Sequence, residues 1–329
     1  MVRKLIENGI REGTVRPLKR TVFDCNQVEQ AFRFMASGKH IGKVVLKIRN
    51  ECDQKVLVRY PSVPRTVFKP NKCYIIIGGL GGFGLELANW MAERGALNLV
   101  LTSRSGIKSS YQRFRIKYFE DIGINVEISA KDVSDLEQTR DLIQLAKRIG
   151  SAQGVGGIFN LAMVLQDGLF ENQTPEQFDR VLKPKAKAVQ HLDSISRELC
   201  PDLEYFVCFS SVSCGRGNSG QSNYGFANSV MERVCDMRRA QGLHGMAVQW
   251  GAIGDVGVVA ESMGGNDVVI GGTLPQRMPS CLATLDSVLQ MDCSVVSSIV
   301  KSDQKLEASN KKGNLIKTIA HILGKIPCK

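Results

Sequence analysis

The sequence predicts an α/β fold with a doubly wound parallel sheet, and two observations support this. From residue 73 onward, short apolar runs alternate with longer segments of helical pattern, which is typical of a buried parallel sheet. The first apolar run leads directly into a glycine cluster at residues 78–84 and then into a predicted helix. A strand, a glycine turn and a helix in this order can hold the pyrophosphate of a dinucleotide. We therefore expect a Rossmann-like sheet.

The predicted elements follow one another in alternating order along the chain. Predicted strands cover residues 73–77, 97–102, 124–129, 156–160, 203–210 and 244–250. Predicted helices cover residues 83–94, 110–121, 134–149, 175–199, 223–241 and 276–290. The N-terminal region adds a predicted helix over 27–37 and a predicted strand over 44–48. Ligand sites in such sheets lie beyond the carboxyl ends of the strands, so the residues after each strand are the candidates.

The glycine cluster fits two spacings. Gly79, Gly81 and Gly84 spell G-x-G-x-x-G, whereas Gly78, Gly82 and Gly84 spell G-x-x-x-G-x-G. Glycine tolerates positive φ and lets the backbone approach phosphates, and the helix N-terminus offers unpaired N–H groups. The alternative is a plain tight turn. The predicted pyrophosphate loop comprises Gly78, Gly79, Leu80, Gly81, Gly82, Phe83 and Gly84.

Composition narrows the class of protein. The 329 residues suffice for about two domains, and the apolar fraction of 43% is typical of a globular chain. No apolar run long enough for a membrane span or a signal core appears, and ten cysteines occur without C-x-x-C pairs. We therefore expect a cytoplasmic protein with reduced thiols, no metal and no membrane contact.

The net charge of +11 raises the question of nucleic acid. The basic residues are dispersed and no nucleic-acid-binding motif accompanies them, so we expect no nucleic-acid partner. A solvated basic surface is the plain explanation. A phosphate-rich cofactor or an acidic carrier protein would also account for part of the excess.

Residues after the second and third strands indicate which dinucleotide binds. An NAD site places a carboxylate on the ribose after the second strand, but this chain has Ser103 and Arg104 there. A guanidinium binds a 2′-phosphate, which favours NADPH, although an ordinary surface Arg is the alternative. Asp132 and Val133 follow the third strand, where a side chain can meet the adenine amino group. Asp132 could instead cap the helix that starts near Ser134.

Residues after the fourth and fifth strands are candidates for the reacting end of the cofactor. Asn160 and Ala162 follow the fourth strand, where small side chains let the nicotinamide ribose approach the backbone. Ser211 follows the fifth strand, and Tyr224 lies thirteen positions further on. The two hydroxyls can converge on one carbonyl if the strand and the next helix flank the cofactor. Taken singly, Ser211 could be a turn cap and Tyr224 a helix-face aromatic.

These motifs resemble the short-chain dehydrogenase/reductase family, with one departure. That family commonly carries Tyr-x-x-x-Lys, and this chain has Tyr224-x-x-x-Asn228. Ketoreductase domains of polyketide synthases and animal fatty acid synthases exchange the two positions, so that Lys comes from the preceding helix. The segment 183–188 resembles that Lys motif, and Lys185 aligns best, with Lys183 and Lys187 as alternatives.

The resemblance to animal fatty acid synthase is closer still. Four segments resemble the ketoreductase domain of that synthase: 209–218, 224–228, 248–257 and 272–278. Residues 11–48 resemble the end of that synthase's enoyl reductase, a medium-chain reductase, and residues 314–324 resemble the start of its acyl carrier domain. The resemblance implies five segments: an enoyl reductase remnant (1–50), a linker (51–72), a ketoreductase domain (73–300), a second linker (301–313) and the start of a carrier domain (314–329).

The resemblance implies NADPH-dependent reduction of a carrier-bound 3-ketoacyl thioester to the 3-hydroxyacyl thioester in fatty acid synthesis. The implied partners are an acyl carrier domain, whose phosphopantetheine holds the acyl chain, and other synthase domains. The alternatives are a non-catalytic or truncated remnant, which binds NADPH or only contacts neighbouring domains, and a free-standing dehydrogenase for small alcohols.

The resemblance also assigns roles to residues. Tyr224 would donate the proton and Ser211 would hydrogen-bond the same oxygen. One cation about 4 Å away can lower a tyrosine pKa by about 3 units, and Lys185 would supply it. Asn228 would orient Lys185 or a proton-relay water, or be a helix-surface amide. Asp167 ends a segment that resembles the Leu-Asp-Asp motif of ketoreductases yielding the 3R alcohol, and it would orient the substrate.

Overall fold

The structure, a computed structural model, describes residues 2–48, 64–257, 269–270 and 273–302. The chain divides into two compact units, Met1–Val63 and Pro64–Lys329. The first unit contains α1 (Val2–Arg11), β1 (Arg20–Asp24), α2 (Val28–Ala36) and β2 (Lys43–Lys47). β1 and β2 pair in parallel, and Phe23 contacts Phe34 of α2 with ring centroids 5.8 Å apart. This unit is a βαβ motif in which β1 was not predicted.

The second unit alternates strands and helices. Its strands are β3 (Cys73–Ile77), β4 (Asn98–Thr102), β5 (Asn125–Ser129), β6 (Val155–Asn160), β7 (Tyr205–Ser211), β8 (Met246–Trp250), β9 (Thr273–Leu274), β10 (Val295–Ser298) and β11 (Val300–Lys301). Its helices are α3 (Gly82–Glu93), α4 (Ser110–Asp121), α5 (Leu136–Ile149), α6 (Pro175–Leu182), α7 (Ala188–Leu199), α8 (Ser213–Arg216), α9 (Ser222–Ala240) and α10 (Met278–Val288).

Seven of these strands form one sheet in the order β10-β8-β7-β6-β3-β4-β5, and every neighbouring pair is parallel. The predicted doubly wound, Rossmann-like sheet is therefore confirmed. From β3 the chain proceeds to β4 and β5 on one side and then crosses to β6 on the other. Such a reversal opens a crevice beyond the carboxyl ends of β3 and β6, where ligands bind in folds of this kind.

Helices cover both faces of the sheet, as the alternation along β3 requires. Tyr74 and Ile76 pack on one face with residues of α3, α4 and α10, whereas Ile75 and Ile77 pack on the other with residues of α5, α7 and α9. All five residues of β3 are buried. Successive strand side chains point to opposite faces, so a continuous apolar run is the pattern of a strand covered on both sides.

The predicted linker over 51–72 is corrected where the structure describes it. Residues 64–72 belong to the second unit. Phe68 is fully buried, with its ring centroid 5.0 Å from that of Tyr74 and 5.4 Å from that of Trp90. The Thr66 N–H donates to Asp286 Oδ1 at 2.7 Å. An aromatic side chain in this otherwise polar stretch anchors it to the sheet.

The helix predicted over 175–199 is also corrected, because it is divided. A π-helical turn, Lys183–Lys187, separates α6 from α7. Pro184 lacks a backbone N–H, so the regular α-helical pattern cannot run through it, and π turns often occur at functional sites. The predicted second linker and carrier start, 301–313 and 314–329, lie outside the described residues except for 301–302. Lys301 pairs with Thr273 in β11 and β9.

Candidate functional site

The glycine turn after β3 is compact enough to exclude side chains. Gly78 has a φ of +77°, and a Cβ there would lie 3.3 Å from backbone atoms of Ala162. A Cβ at Gly84 would lie 2.6 Å from the Gly79 carbonyl oxygen. The N-terminus of α3 begins inside this turn. The glycines are therefore required by a tight turn at the N-terminus of α3, which is where a pyrophosphate binds in folds of this kind.

A cleft of about 620 Å³ opens beyond the carboxyl ends of β3, β4, β5 and β6. Of the predicted cofactor-binding residues, seven line it: Gly78, Gly81, Ser103, Arg104, Asp132, Val133 and Ala162. The other six do not line it: Gly79, Leu80, Gly82, Phe83, Gly84 and Asn160.

Three of these six predicted residues have side chains that are held inside the protein. Leu80 is buried in the core, and Phe83 packs against Phe209 with ring centroids 4.9 Å apart. Asn160 is buried, and its Oδ1 accepts a hydrogen bond from the Ala162 N–H at 3.2 Å. These residues shape the loops that border the cleft.

Opposite charges meet at the predicted adenosine end. Arg104 Nη1 lies 4.0 Å from Asp132 Oδ2, and the Arg104 side chain is 63% exposed. Asp132 Oδ1 accepts hydrogen bonds from the N–H and the Oγ of Ser134 at 2.9 and 2.8 Å. Burial acts to raise the pKa of Asp132, but these hydrogen bonds and the Arg104 charge outweigh it and the pKa is lowered. Asp132 is not the cap of α5, because Asp135 accepts from the Gln138 N–H.

The cleft has basic residues that the sequence analysis did not single out as cofactor ligands. Lys108 and Lys131 line it near Arg104. Lys131 Nζ is paired with Asp141 Oδ2 at 2.7 Å, whereas Lys108 is exposed. Both lysines come within six residues after a predicted strand, and this position could have identified them as candidates for the cleft. They add positive charge where a phosphate would lie.

The structure brings Ser211, Tyr224, Lys185 and Asn228 together. Lys185 is fully buried, its Nζ donates to the Phe209 carbonyl oxygen at 2.9 Å, and this nitrogen lies 5.1 Å from the Tyr224 ring centroid. Tyr224 lies in the first turn of α9 and Ser211 is the last residue of β7. These residues meet at the edge of the sheet where strands end.

The alternatives to Lys185 point away from Tyr224, although Lys183 lines the cofactor cleft. Lys183 Nζ and Lys187 Nζ both form ion pairs with Asp179, at 2.8 and 2.7 Å, and both side chains are about half exposed. Only the middle lysine of the π turn points inward. Asp179 holds its two neighbours on the surface, which leaves Lys185 as the one lysine of this segment that reaches Tyr224.

Burial controls protonation at this cluster. It lowers the pKa of Lys185 to about 7. It also raises the pKa of Tyr224, and hydrogen bonding with Asn228 and Ser211 offsets only part of that rise. From the sequence we expected Lys185 to lower the pKa of Tyr224, and this expectation is wrong, because burial raises it. A tyrosine with a raised pKa stays protonated at neutral pH, which suits a proton donor.

Asn228 and Ser211 have acceptor oxygens close to Tyr224. Asn228 is fully buried, so the interpretation as a surface amide is wrong. Its Nδ2 donates to the Tyr224 carbonyl oxygen at 2.9 Å, while its Oδ1 has no hydrogen-bond partner among the described residues. Ser211 Oγ accepts from the N–H and the Oγ of Ser213 at 3.2 and 3.0 Å. Since buried polar atoms are normally paired, the free Asn228 oxygen points to a group that binds there.

Asp167 lies on the loop that borders the same site. Its Oδ2 accepts from Gln221 Nε2 at 3.0 Å. The Asn223 Nδ2 donates to the Gln166 carbonyl oxygen at 2.8 Å. Two hydrogen bonds thus tie the loop around Asp167 to the residues directly before Tyr224, so Asp167 lies beside the approach to the hydroxyl cluster.

Within residues 2–48, 64–257, 269–270 and 273–302, no cluster of three or more His, Cys, Asp or Glu side chains is arranged to hold a metal ion. Across the same ranges, every helix is too short or too polar to cross a membrane.

Comparisons with known families match both units. The KR domain family matches residues 72–255, and a zinc-binding dehydrogenase family matches residues 6–46. A highly reducing polyketide synthase of Dothideomycetidae sp. (strain 11243) is 35% identical over 278 residues, which cover 79% of this chain and 10% of that protein. One from Fusarium mangiferae is 37% identical over 256 residues, covering 77% and 10%. The chain spans about a tenth of the length of these relatives.

Solved structures give the same result. Structures of A-type ketoreductases from a modular polyketide synthase match with a TM-score of 0.67 and 29% identity, covering 77% of this chain and 52% of that one. An A1-type ketoreductase matches with a TM-score of 0.67 and 28% identity, covering 80% and 55%.

Proposed function

This chain belongs to the ketoreductase (KR) domain family, and from that premise we propose that it reduces a carrier-bound 3-ketoacyl thioester to the 3-hydroxyacyl thioester with NADPH. The observation that carries the proposal is the buried Lys185 ammonium, which lies against the ring of Tyr224 while both neighbouring lysines are held at the surface. A buried lysine is costly, and its burial beside a tyrosine and a serine beyond the carboxyl end of β7 is typical of a site under functional constraint.

The cleft fits NADPH. Gly78 and Gly81 line the cleft beside the start of α3, where a pyrophosphate would lie, and Arg104 and Lys108 supply positive charge for a 2′-phosphate. Asp132, Val133 and Ala162 line the stretch between, where adenosine and the nicotinamide ribose would lie. When bound, the reduced nicotinamide supplies the hydride that converts a ketone to an alcohol.

The residues at the carboxyl end of β7 and the start of α9 would supply the proton and stabilise the negative charge. Tyr224 Oη is the proton donor to the carbonyl oxygen, and it stays protonated because burial raises its pKa. Ser211 Oγ donates a hydrogen bond to the same oxygen and so stabilises the charge that grows there. Lys185 stabilises the phenolate left after proton transfer, and the free Asn228 Oδ1 accepts from a water that returns the proton. Asp167 orients the arriving substrate.

We propose a fatty acid synthase of the animal type as the parent protein. The similar segments in both units support it, with residues 1–50 as the end of an enoyl reductase and 314–329 as the start of an acyl carrier domain. A cytoplasmic location fits the reduced thiols of buried cysteines such as Cys73, Cys200 and Cys208. The second candidate is a polyketide synthase, which the curated relatives favour. Sequencing the transcript on both sides decides between them, since carrier and thioesterase modules downstream would support the fatty acid synthase.

The assay of the purified chain tests the activity itself. We expect oxidation of NADPH, followed by absorbance of the reduced nicotinamide, when an acetoacetyl thioester is added, with a 3-hydroxyacyl thioester as product. A chain that binds NADPH without turning it over would support the alternative of a non-catalytic remnant. A chain that reduces small free ketones as fast as thioesters would support a free-standing dehydrogenase.

Replacing Arg104 by Ala tests the choice of NADPH. Loss of a charge-assisted pair with the 2′-phosphate should raise the Kd for NADPH by roughly 10–100-fold. The Kd for NADH should change by less than about twofold, because NADH has no phosphate for a guanidinium to bind. Fluorescence titration of both cofactors measures this. Arg113→Ala, an exposed Arg on α4 outside the cleft, is the control, and equal weakening of both cofactors would reject the role.

A further inference from the structure

A buried carboxylate lies behind the hydroxyl cluster. Glu232 is on α9, one turn after Asn228 and two turns after Tyr224, and its side chain is buried. Residues spaced by four along a helix lie on nearly the same face. Glu232 therefore continues the face of α9 that carries Tyr224 and Asn228, on the side toward the sheet.

Three donors converge on this carboxylate. Ser210 Oγ and Gln249 Nε2 donate to Glu232 Oε1 at 2.5 and 2.8 Å, and Cys214 Sγ donates to Oε2 at 3.4 Å. No ion pair within the described part of the chain includes Glu232. A carboxylate without a cation is costly to bury unless hydrogen bonds satisfy it. The three donors come from β7, β8 and α8, so Glu232 joins these elements to α9.

Two of the donors bracket Ser211. Ser210 directly precedes it, and Cys214 directly follows Ser213, whose N–H and hydroxyl both donate to Ser211 Oγ. The turn from 210 to 214 thus carries the Ser211 hydroxyl and is fastened at both ends by one carboxylate. That carboxylate sits on the helix that carries Tyr224.

We propose that Glu232 is a positioning residue that sets the separation between the Ser211 hydroxyl and the Tyr224 phenol. It does not line the cofactor cleft, and it acts through Ser211. This inference rests on the proposed function, because the separation matters only if both hydroxyls bind one carbonyl oxygen. A displacement of about 1 Å in such a pair can cost up to about 10²-fold in rate.

The test is a double-mutant cycle with Ser211→Ala. Glu232→Gln keeps the shape but replaces one acceptor oxygen by an NH2 group, a donor that would face donating side chains. We therefore expect kcat to fall by roughly 10–100-fold while the Kd for NADPH stays within about twofold. In the Ser211→Ala background the same change should cost less than about twofold, since the group that Glu232 positions is gone. Glu198→Gln, a carboxylate on α7 paired with Arg140, should have no effect in either background.

A second readout does not depend on activity. Burial and the neighbouring Glu232 carboxylate raise the pKa of Cys214 to about 12. Glu232→Gln should lower that pKa, so the thiolate fraction and the rate of alkylation at Cys214 rise about tenfold for each unit. Peptide mapping after brief iodoacetamide treatment measures this, and Cys214 is only partly buried beside a second cavity of about 390 Å³.

The outcomes separate the inference from the function on which it rests. An equal fall in kcat in both backgrounds, or a joint loss of NADPH binding and thermal stability, would mean that Glu232 is only structural and would overturn the inference. An unchanged alkylation rate would contradict the charged contact with Cys214. A wild-type chain without turnover would count against the proposed function, and the alkylation rate would still report whether Glu232 holds the turn.

Discussion

Replacing Tyr224 by Phe is expected to lower kcat by about 10²–10⁴-fold while leaving NADPH binding within about twofold. The change removes one oxygen, which in the proposed mechanism is the proton donor. The fall corresponds to about 2.7–5.5 kcal/mol of lost transition-state stabilisation. Tyr224 is 8% exposed, and its ring packs with Val181 and Ala227, contacts that Phe retains.

Two measurements test the Tyr224→Phe prediction. Steady-state reduction of a 3-ketoacyl thioester reports kcat, and thermal unfolding shows whether the variant is folded. Tyr118→Phe makes the same chemical change on an exposed residue of α4 and should leave kcat unchanged. Near-normal turnover by the Tyr224 variant would remove the phenol from the mechanism. A large rise in the Kd for NADPH would point to a binding role instead.

The fold was predictable where the sequence carries a strong period. The apolar run of β3 and its glycine turn were placed correctly, because a strand buried on both faces needs a continuous apolar segment. β10 was missed, since Val295–Ser298 is only four residues long and half of it is serine. The buried Phe68 was missed because the prolines around it suggested a linker. Tertiary contacts outweighed local composition in both cases.

The site was less predictable than the fold. The segment 183–187 carries a lysine at every second position: Lys183, Lys185 and Lys187. The sequence pattern does not indicate which of the three faces inward. The π turn decides it, because it rotates the middle lysine toward Tyr224 and leaves the outer two to Asp179. A π turn depends on how α6 and α7 pack, which a local pattern does not report.

Glu232 shows a second limit of sequence analysis. In the sequence it stands between Met and Arg on a long helix, where a glutamate is normally solvent-exposed. Its donors Ser210, Cys214 and Gln249 come from three other elements, and only the folded sheet brings them to it. The sequence alone therefore cannot identify a side chain whose role depends on several distant elements. The topology must be known first.

Replacing Lys185 by Met should have the second large effect. A charge 5.1 Å from the Tyr224 ring centroid is worth about 3 kcal/mol at an effective dielectric of 20, so kcat/KM at pH 6 should fall by roughly 10²-fold. Met keeps most of the apolar volume of the lysine stem but removes the donor to the Phe209 carbonyl, so thermal unfolding is measured to show that the variant is folded. Lys187→Met is the matched control, because that lysine lies two positions away and is held at the surface by Asp179.

The same lysine predicts opposite effects of pH on rate and stability. Burial lowers the pKa of Lys185 to about 7, so the ammonium is present below that pH and is lost above it. Wild-type kcat/KM should therefore fall by up to tenfold per pH unit above about 7, down to the level of the Met variant. Between about pH 7 and 10 the unfolded chain binds a proton that the folded chain has released. By linkage, the contribution of Lys185 to the free energy of unfolding therefore rises with pH, by up to about 1.4 kcal/mol per pH unit.

Lys185→Met should abolish both effects at once. A pH profile of thioester reduction measures the effect on rate, and urea unfolding at pH 6.5, 8 and 9.5 measures the effect on stability. Lys187→Met should retain both. A wild-type rate profile that stays flat to pH 9 would mean that the charge on Lys185 does not affect the rate. A profile that falls equally in the Met variant would mean that another group titrates. In either case the charged lysine would not be what stabilises the Tyr224 phenolate. The stability trend would remain in the wild-type chain, because it follows from the lowered Lys185 pKa alone.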